Sequence, residues 1–254
     1  MSLELVPGRK KKLIPVAHVG ETTVAYNPKV PKEHRVKEMF FKELVKPFPY
    51  IDVAHNQRSA TFISGVSGSG KSTAGVALIR RLRERRNDLK RPVEVFTTSS
   101  LPDPAYSTMA HVEFINVEDP RFMKLDIEDL SGRIVVFDDY ENVADPRLSK
   151  YLLHFMKKVL EQTRKQETDV IVINHMSQNY HATRNIIFEC DTFYLNVAQN
   201  RVSAGRFLSA YSSIPKTMLA ALLAHEFDDP FGFVVFHKCA PCYIIFENVV
   251  KLIN

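Results

Sequence analysis

Glycine is scarce in this chain, nine of 254 residues, yet Gly65, Gly68, Gly70 and Gly75 fall within eleven consecutive positions. The crowd lies between a short apolar run at 60–64 and a stretch with helical spacing at 72–88. A turn this rich in residues without Cβ lets backbone N–H groups approach a ligand closely, and a helix starting inside it adds the positive end of its dipole. The text Gly65-Val66-Ser67-Gly68-Ser69-Gly70-Lys71-Ser72 matches G-x-x-x-x-G-K-[ST] in the strand, turn, helix context that the pattern requires. A chain of phosphates is what such a loop wraps. The expected ligand is ATP with Mg2+, held by Gly65 to Ser72 and the adjoining Thr73. Lys71 reaches the β- and γ-phosphates, and the Ser72 hydroxyl ligates the metal.

Around the loop the sequence alternates. Apolar, β-branched runs at 92–98, 112–116, 133–137, 169–174 and 192–197 are each short enough for a strand buried on both faces. Between two of them Leu148, Leu152, Phe155 and Val159 recur at helical spacing, with Tyr151, Met156 and Leu160 beside them. Strands recurring between helices predict an α/β fold of phosphate-loop type, with a mostly parallel central sheet flanked by helices. A further helix is expected at 214–225, and the segments 231–236 and 243–246 read as a C-terminal hairpin. Helical spacing also marks 33–45, and the first dozen residues, with the basic run Arg9, Lys10, Lys11 and Lys12, read as a mobile tail. The expected organisation is an N-terminal extension over 1–48 and one nucleotide-binding domain over 49–254.

The strand Ile134-Val135-Val136-Phe137 runs into Asp138-Asp139, about 65 residues after the loop. A carboxylate at this place completes a metal site, and a neighbouring acid polarises the attacking water. Asp138 is assigned to the metal and Asp139 to the water, with Glu141 as the alternative because continued extended backbone sets it on the same side as Asp139. The strand at 169–174 ends in the polar pair Asn174-His175. Ligands gather at the carboxyl ends of parallel strands, so either residue can sense the γ-phosphate.

Net charge is +5, which suits a polyanionic partner. Arg80, Arg81, Arg83, Arg85, Arg86, Lys90 and Arg91 are dense enough to meet several phosphates, although a solvated helix face is the simpler reading. Three cysteines, Cys190, Cys239 and Cys242, do not make a secreted disulfide framework. Cys239-Ala240-Pro241-Cys242 lacks the second ligand pair of a zinc site and reads as a turn. With no apolar run of membrane-spanning length and no leader-like start, a cytoplasm-like compartment is expected.

The phosphate loop, the strand Val135 to Asp139, and the text from Arg164 through Val172-Ile173-Asn174-His175 to Thr183-Arg184-Asn185-Ile186-Ile187 together resemble the DNA-packaging ATPases of nucleocytoplasmic large DNA viruses. These are poxvirus-type members of the FtsK/HerA superfamily, and the resemblance spans roughly 49–246. It implies a homo-oligomeric ring, a pentamer or hexamer, that hydrolyses ATP to thread double-stranded DNA into a capsid through a portal vertex. It also implies residence in the virion and the host cytoplasm. The family's acid after the metal-binding Asp is commonly Glu where this chain has Asp139, and the sensor is often Gln where it has Asn174-His175. Such rings complete each site with an arginine from the next subunit, for which Arg164, Arg184 and Arg147 are the candidates. Two other classes share the loop: a small-molecule kinase, and a virion scaffold that holds ATP without hydrolysing it.

Overall fold

A computed structural model describes residues 2–7, 13–30, 35–42, 46–47, 58–163, 166–175, 183–229, 231–239 and 241–253. The chain divides into two units, Met1–Tyr50 with Thr192–Asn254, and Ile51–Asp191. This grouping differs from a single division at residue 48.

In the second unit the apolar runs become β6 (Ala60–Ser64), β7 (Val93–Thr97), β8 (Val112–Asn116), β9 (Ile134–Phe137) and β10 (Asp169–Asn174). All pair in parallel, in the spatial order β6-β10-β9-β7-β8. The parallel sheet is therefore as the alternation predicts. Every residue of β6, β7, β9 and β10 is buried. β8 departs from the expected burial on both faces, because it is the sheet's last strand in this unit and its residues are only partly covered.

Helix α1 (Lys71–Arg86) follows the glycine turn, and α2 (Pro146–Gln162) starts at an Asp145 cap whose carboxylate accepts from the Arg147 N–H at 2.8 Å. The predicted apolar stripe of α2 is buried at Leu148, Leu152, Phe155, Met156, Val159 and Leu160. Phe155 meets Phe96 of β7 at 5.5 Å and Phe122 at 5.1 Å between ring centroids, a tilted and an edge-to-face contact. Gly75 on α1 marks a close approach: a Cβ there would stand 3.0 Å from Ile173 Cδ1 on β10.

The amino end of the sheet carries a buried ion cluster. Asp169, the first residue of β10 and fully buried, accepts from Arg86 Nε at 2.8 Å and from Arg91 Nη1 at 2.5 Å, and it also takes the Ser59 N–H at 2.7 Å. Arg83 turns instead to the backbone carbonyls of Arg91, at 2.7 Å, and of Ala110, at 2.9 Å. Arg83, Arg86 and Arg91 thus belong to the interior. For these three neither a solvated face nor a phosphate-facing patch holds.

In the other unit β1 (Ser2–Pro7), β3 (Thr22–Asn27), β2 (Ile14–Val19) and β5 (Lys46–Pro47) form an antiparallel sheet in that order. The mobile-tail reading is corrected at Ser2–Pro7, which pair along their full length with β3. Residues 9–12 lie outside the described residues. The helical reading of 33–45 is corrected too: Glu38–Phe40 is strand β4, paired antiparallel with β14 (Val249–Leu252). The expected hairpin forms from β12 (Phe233–His237) and β13 (Tyr243–Phe246) beside β11 (Thr192–Asn196). Helices α4 (Arg201–Tyr211) and α5 (Lys216–Ala224) complete the unit.

Removing one partner of a buried ion pair leaves the other charged and unsolvated, at a cost of about 3–5 kcal/mol. Asp169→Ala is therefore expected to destabilise the chain by about that amount in urea unfolding. An exposed control such as Glu161→Ala, whose ion pair with Lys157 one helical turn away lies at the surface, should change it far less.

Candidate active site

At the carboxyl ends of the parallel strands, β6 leads into the loop 65–70. Gly68 and Gly70 take φ of +75° and +81°, the left-handed region in which a side chain is strained. No atom lies within 4 Å of a Cβ built on Gly68, so conformation rather than space requires glycine there. Gly70 caps α1 without a side-chain hydrogen bond, and no acid sits in the first turn. The helix thus presents its N–H groups and positive dipole end with no internal carboxylate to compete.

The order of strands decides what faces this loop. β10 lies between β6 and β9, with Ile173 beside Ile63 and Val172 beside both Phe62 and Phe137. The end of β10 therefore stands between the phosphate loop and the acidic pair. His175 spans that gap: its Nδ1 is 3.3 Å from Lys71 Nζ and its Nε2 2.9 Å from Asp139 Oδ1. Lys71 also donates to the Val66 carbonyl at 3.0 Å. Burial lowers the Lys71 pKa, against the opposing charges of Asp138, Asp139, Glu141 and Asp103.

Asn174 and His175 part company here. The Asn174 side chain is buried and donates to the Tyr140 hydroxyl at 3.0 Å, while His175 enters the site. Asp139 has φ +52°, so extended backbone stops there and a 3-10 turn, Tyr140–Asn142, follows. Glu141 reaches the site by that turn rather than by continued alternation. Its carboxylate accepts the His175 backbone N–H at 2.9 Å.

Asp138 is almost fully buried. Burial, and then the neighbouring Asp139 charge, push its pKa up to about 6, although hydrogen bonds from Tyr106 and Ser72 pull the other way. The Tyr106 hydroxyl donates to Asp138 Oδ2 at 3.1 Å. A buried carboxylate beside a serine hydroxyl, both hard oxygen donors, with a second carboxylate adjacent, suits Mg2+. Ser72 and Asp138 are the residues that would hold it, and the ion would supply charge neutralisation for bound phosphates.

The sequence alone carries no signal that marks Tyr106, Asp103 or Thr98 as part of the site. Tyr106 lies in a Pro-rich connection that reads as loop, and Thr98, whose hydroxyl donates to the Asp139 carbonyl at 2.7 Å, reads as the end of a strand. Ser99, Leu101, Asp103, Tyr106, Asp138 and Asp139 help line a cavity of about 260 Å³ beside the acids. Of the arginine candidates, Arg147 is exposed in the first turn of α2. Arg184 is exposed at the start of α3 (Arg184–Glu189), its guanidinium 5.7 Å from the Phe188 ring centroid. Arg164 lies outside the described residues. Among those residues no group of three or more His, Cys, Asp or Glu is placed to bind a metal alone.

The loop, the sheet order and the acidic strand end define a phosphate-loop NTPase fold. Similar solved structures include B204, the DNA-packaging ATPase of Sulfolobus turreted icosahedral virus, at TM-score 0.51 and 12% identity, covering 76% of this chain and 98% of that one. The genome-packaging NTPase B204 of Sulfolobus turreted icosahedral virus 2, in complex with AMP, gives TM-score 0.50 and 12% identity over 75% and 96% of the two chains. In sequence, the uncharacterized protein V3 of Sputnik virophage is 24% identical over 196 residues, 76% of this chain and 77% of that one. No protein-family model matches the chain.

The raised Asp138 pKa has a consequence for stability. Below the ordinary carboxylate value the group is protonated folded or unfolded, and no penalty exists. Between there and about 6 the folded chain keeps a proton the unfolded one has lost, so the penalty grows as pH rises and is complete above about 6. The gap corresponds to roughly 2–3 kcal/mol. Asp138→Asn, which keeps an acceptor for Tyr106, is expected to raise the melting temperature of the metal- and nucleotide-free chain at pH 8 by several degrees. At pH 4.5 the gain should shrink to about a third, as thermal denaturation at the two pH values will show.

Proposed function

We propose that this chain hydrolyses ATP with Mg2+ and couples the hydrolysis to movement of double-stranded DNA, packaging a viral genome. The observation that carries the hydrolytic part is the line Lys71, His175, Asp139, which joins the phosphate loop to a half-exposed carboxylate. Backbone N–H groups of 65–70 and the start of α1 bind the phosphates, and Lys71 meets the β- and γ-oxygens. Asp139, reachable by solvent and not committed to the metal, accepts a proton from the attacking water. Glu141 secures the backbone of His175 instead. A carboxylate placed for water favours hydrolysis over transfer to a small-molecule hydroxyl.

The DNA part is supported by the likeness of fold to the viral packaging ATPases above and by the net positive charge. It draws little support from the basic helix, since Arg83, Arg86 and Arg91 are used inside the protein. Membership of the poxvirus-type FtsK/HerA packaging motors, a ring of five or six copies and action at a capsid portal are what the sequence resemblance implies, as is residence in the virion and host cytoplasm. Arg147 and Arg184 are the exposed candidates for the arginine supplied to a neighbour's site. No helix among the described residues is long and apolar enough to cross a membrane.

Phosphate release by the full-length chain with Mg2+ should rise several-fold on adding duplex DNA. Removing one charge-stabilising donor or the base from such a site costs about a hundredfold or more in turnover, so Lys71→Ala and Asp139→Asn should each lose that much. Turnover indifferent to DNA would sink the translocase reading, and turnover intact in Lys71→Ala would sink the assignment of the site.

A further inference from the structure

A lysine ammonium has three donors and no acceptor. In the contact between Lys71 Nζ and His175 Nδ1, the ring nitrogen is therefore the acceptor. The ring proton then lies on Nε2, and Nε2 donates to Asp139 Oδ1. The ring is thus held at both nitrogens, and the residue's backbone N–H is fixed separately to Glu141. Lys71 is thus turned toward a loop carbonyl and a ring nitrogen, and Asp139 toward the far side of the same ring.

We propose that His175 is a latch, a positioning residue that keeps Lys71 and Asp139 in one hydrogen-bonded chain until a triphosphate draws Lys71 away. The ring, then held at one nitrogen instead of two, is able to rotate off Asp139, and the carboxylate is released toward water. Arrival of the substrate and readiness of the base become one event. This rests on the hydrolytic reading above and adds a regulation to it.

A latch and a simple phosphate sensor predict opposite binding effects. A sensor touches the γ-phosphate, so its loss weakens triphosphate binding. A latch competes with the phosphates for Lys71, so its loss tightens it. With full-length protein titrated calorimetrically with ATPγS and Mg2+, His175→Ala is expected to bind at least about tenfold more tightly, the worth of a hydrogen bond to a charged group. Its KM for ATP should fall in the same proportion. His175→Gln, whose amide oxygen can accept from Lys71 while the amide nitrogen donates to Asp139, should return affinity to the wild-type value.

In ¹⁵N-histidine spectra of the wild type, the signal missing from His175→Ala should report an Nε2-protonated ring whose Nδ1 resonance moves on saturation with ATPγS and Mg2+. Equal or weaker binding by His175→Ala, or an Nδ1 resonance unmoved by ATPγS, overturns the latch. The two readings separate cleanly. Tighter binding in the variant beside a wild type that releases no phosphate would support the latch and sink hydrolysis. Phosphate release by the wild type beside weaker binding in the variant would sink the latch alone.

Discussion

Strand β10 is the constraint on which the nucleotide-binding unit turns. It is hydrogen-bonded on both sides, to β6 and to β9, and each of its ends grips a different end of helix α1. At the amino end Asp169 binds Arg86 in the last turn of the helix, and past the carboxyl end His175 meets Lys71 in its first. The lengths agree: sixteen residues of α-helix rise about 24 Å, and six residues of strand plus its flanking residue about 20 to 23 Å. Gly75 lets the two run close enough for both grips to close at once.

That arrangement concentrates negative charge at one end. Asp103, Asp138, Asp139 and Glu141 all act on the buried Lys71. In a medium less polarisable than water such a set is unfavourable until cations join it, which is why the Asp138 proton is held up to about 6. The stress is the counterpart of the proposed affinity: a divalent ion arriving with phosphates would relieve it, which the hydrogen bonds from Tyr106 and Ser72 to Asp138 do only in part.

Much of this was legible in the sequence, and for definite reasons. The loop has a steric signature, β6 and β10 have continuous apolar text ending in polar residues, and α2 has a stripe that no strand would show. What was not legible depends on order in space. Nothing in the text states that β10 lies between β6 and β9, and so nothing states that His175 rather than Asn174 faces the loop. Arg83, Arg86 and Arg91 read as surface because their partners, Asp169 and a set of backbone carbonyls, are remote in sequence or carry no side-chain signal. The short strands β1 and β4 were missed where basic and proline-containing text outweighed a few apolar residues.

The close seat of Gly75 against Ile173 has a mechanical side. With that contact between them and the Asp169–Arg86 grip at the amino end of the strand, α1 and β10 have no smooth surface along which to slide, nor room for the helix to roll. They move as one body. Whatever displacement a nucleotide cycle brings must then be carried by chain that leaves this body, such as the turn after Asp139, so that the helix and strand serve as the anvil and that connection as the moving part.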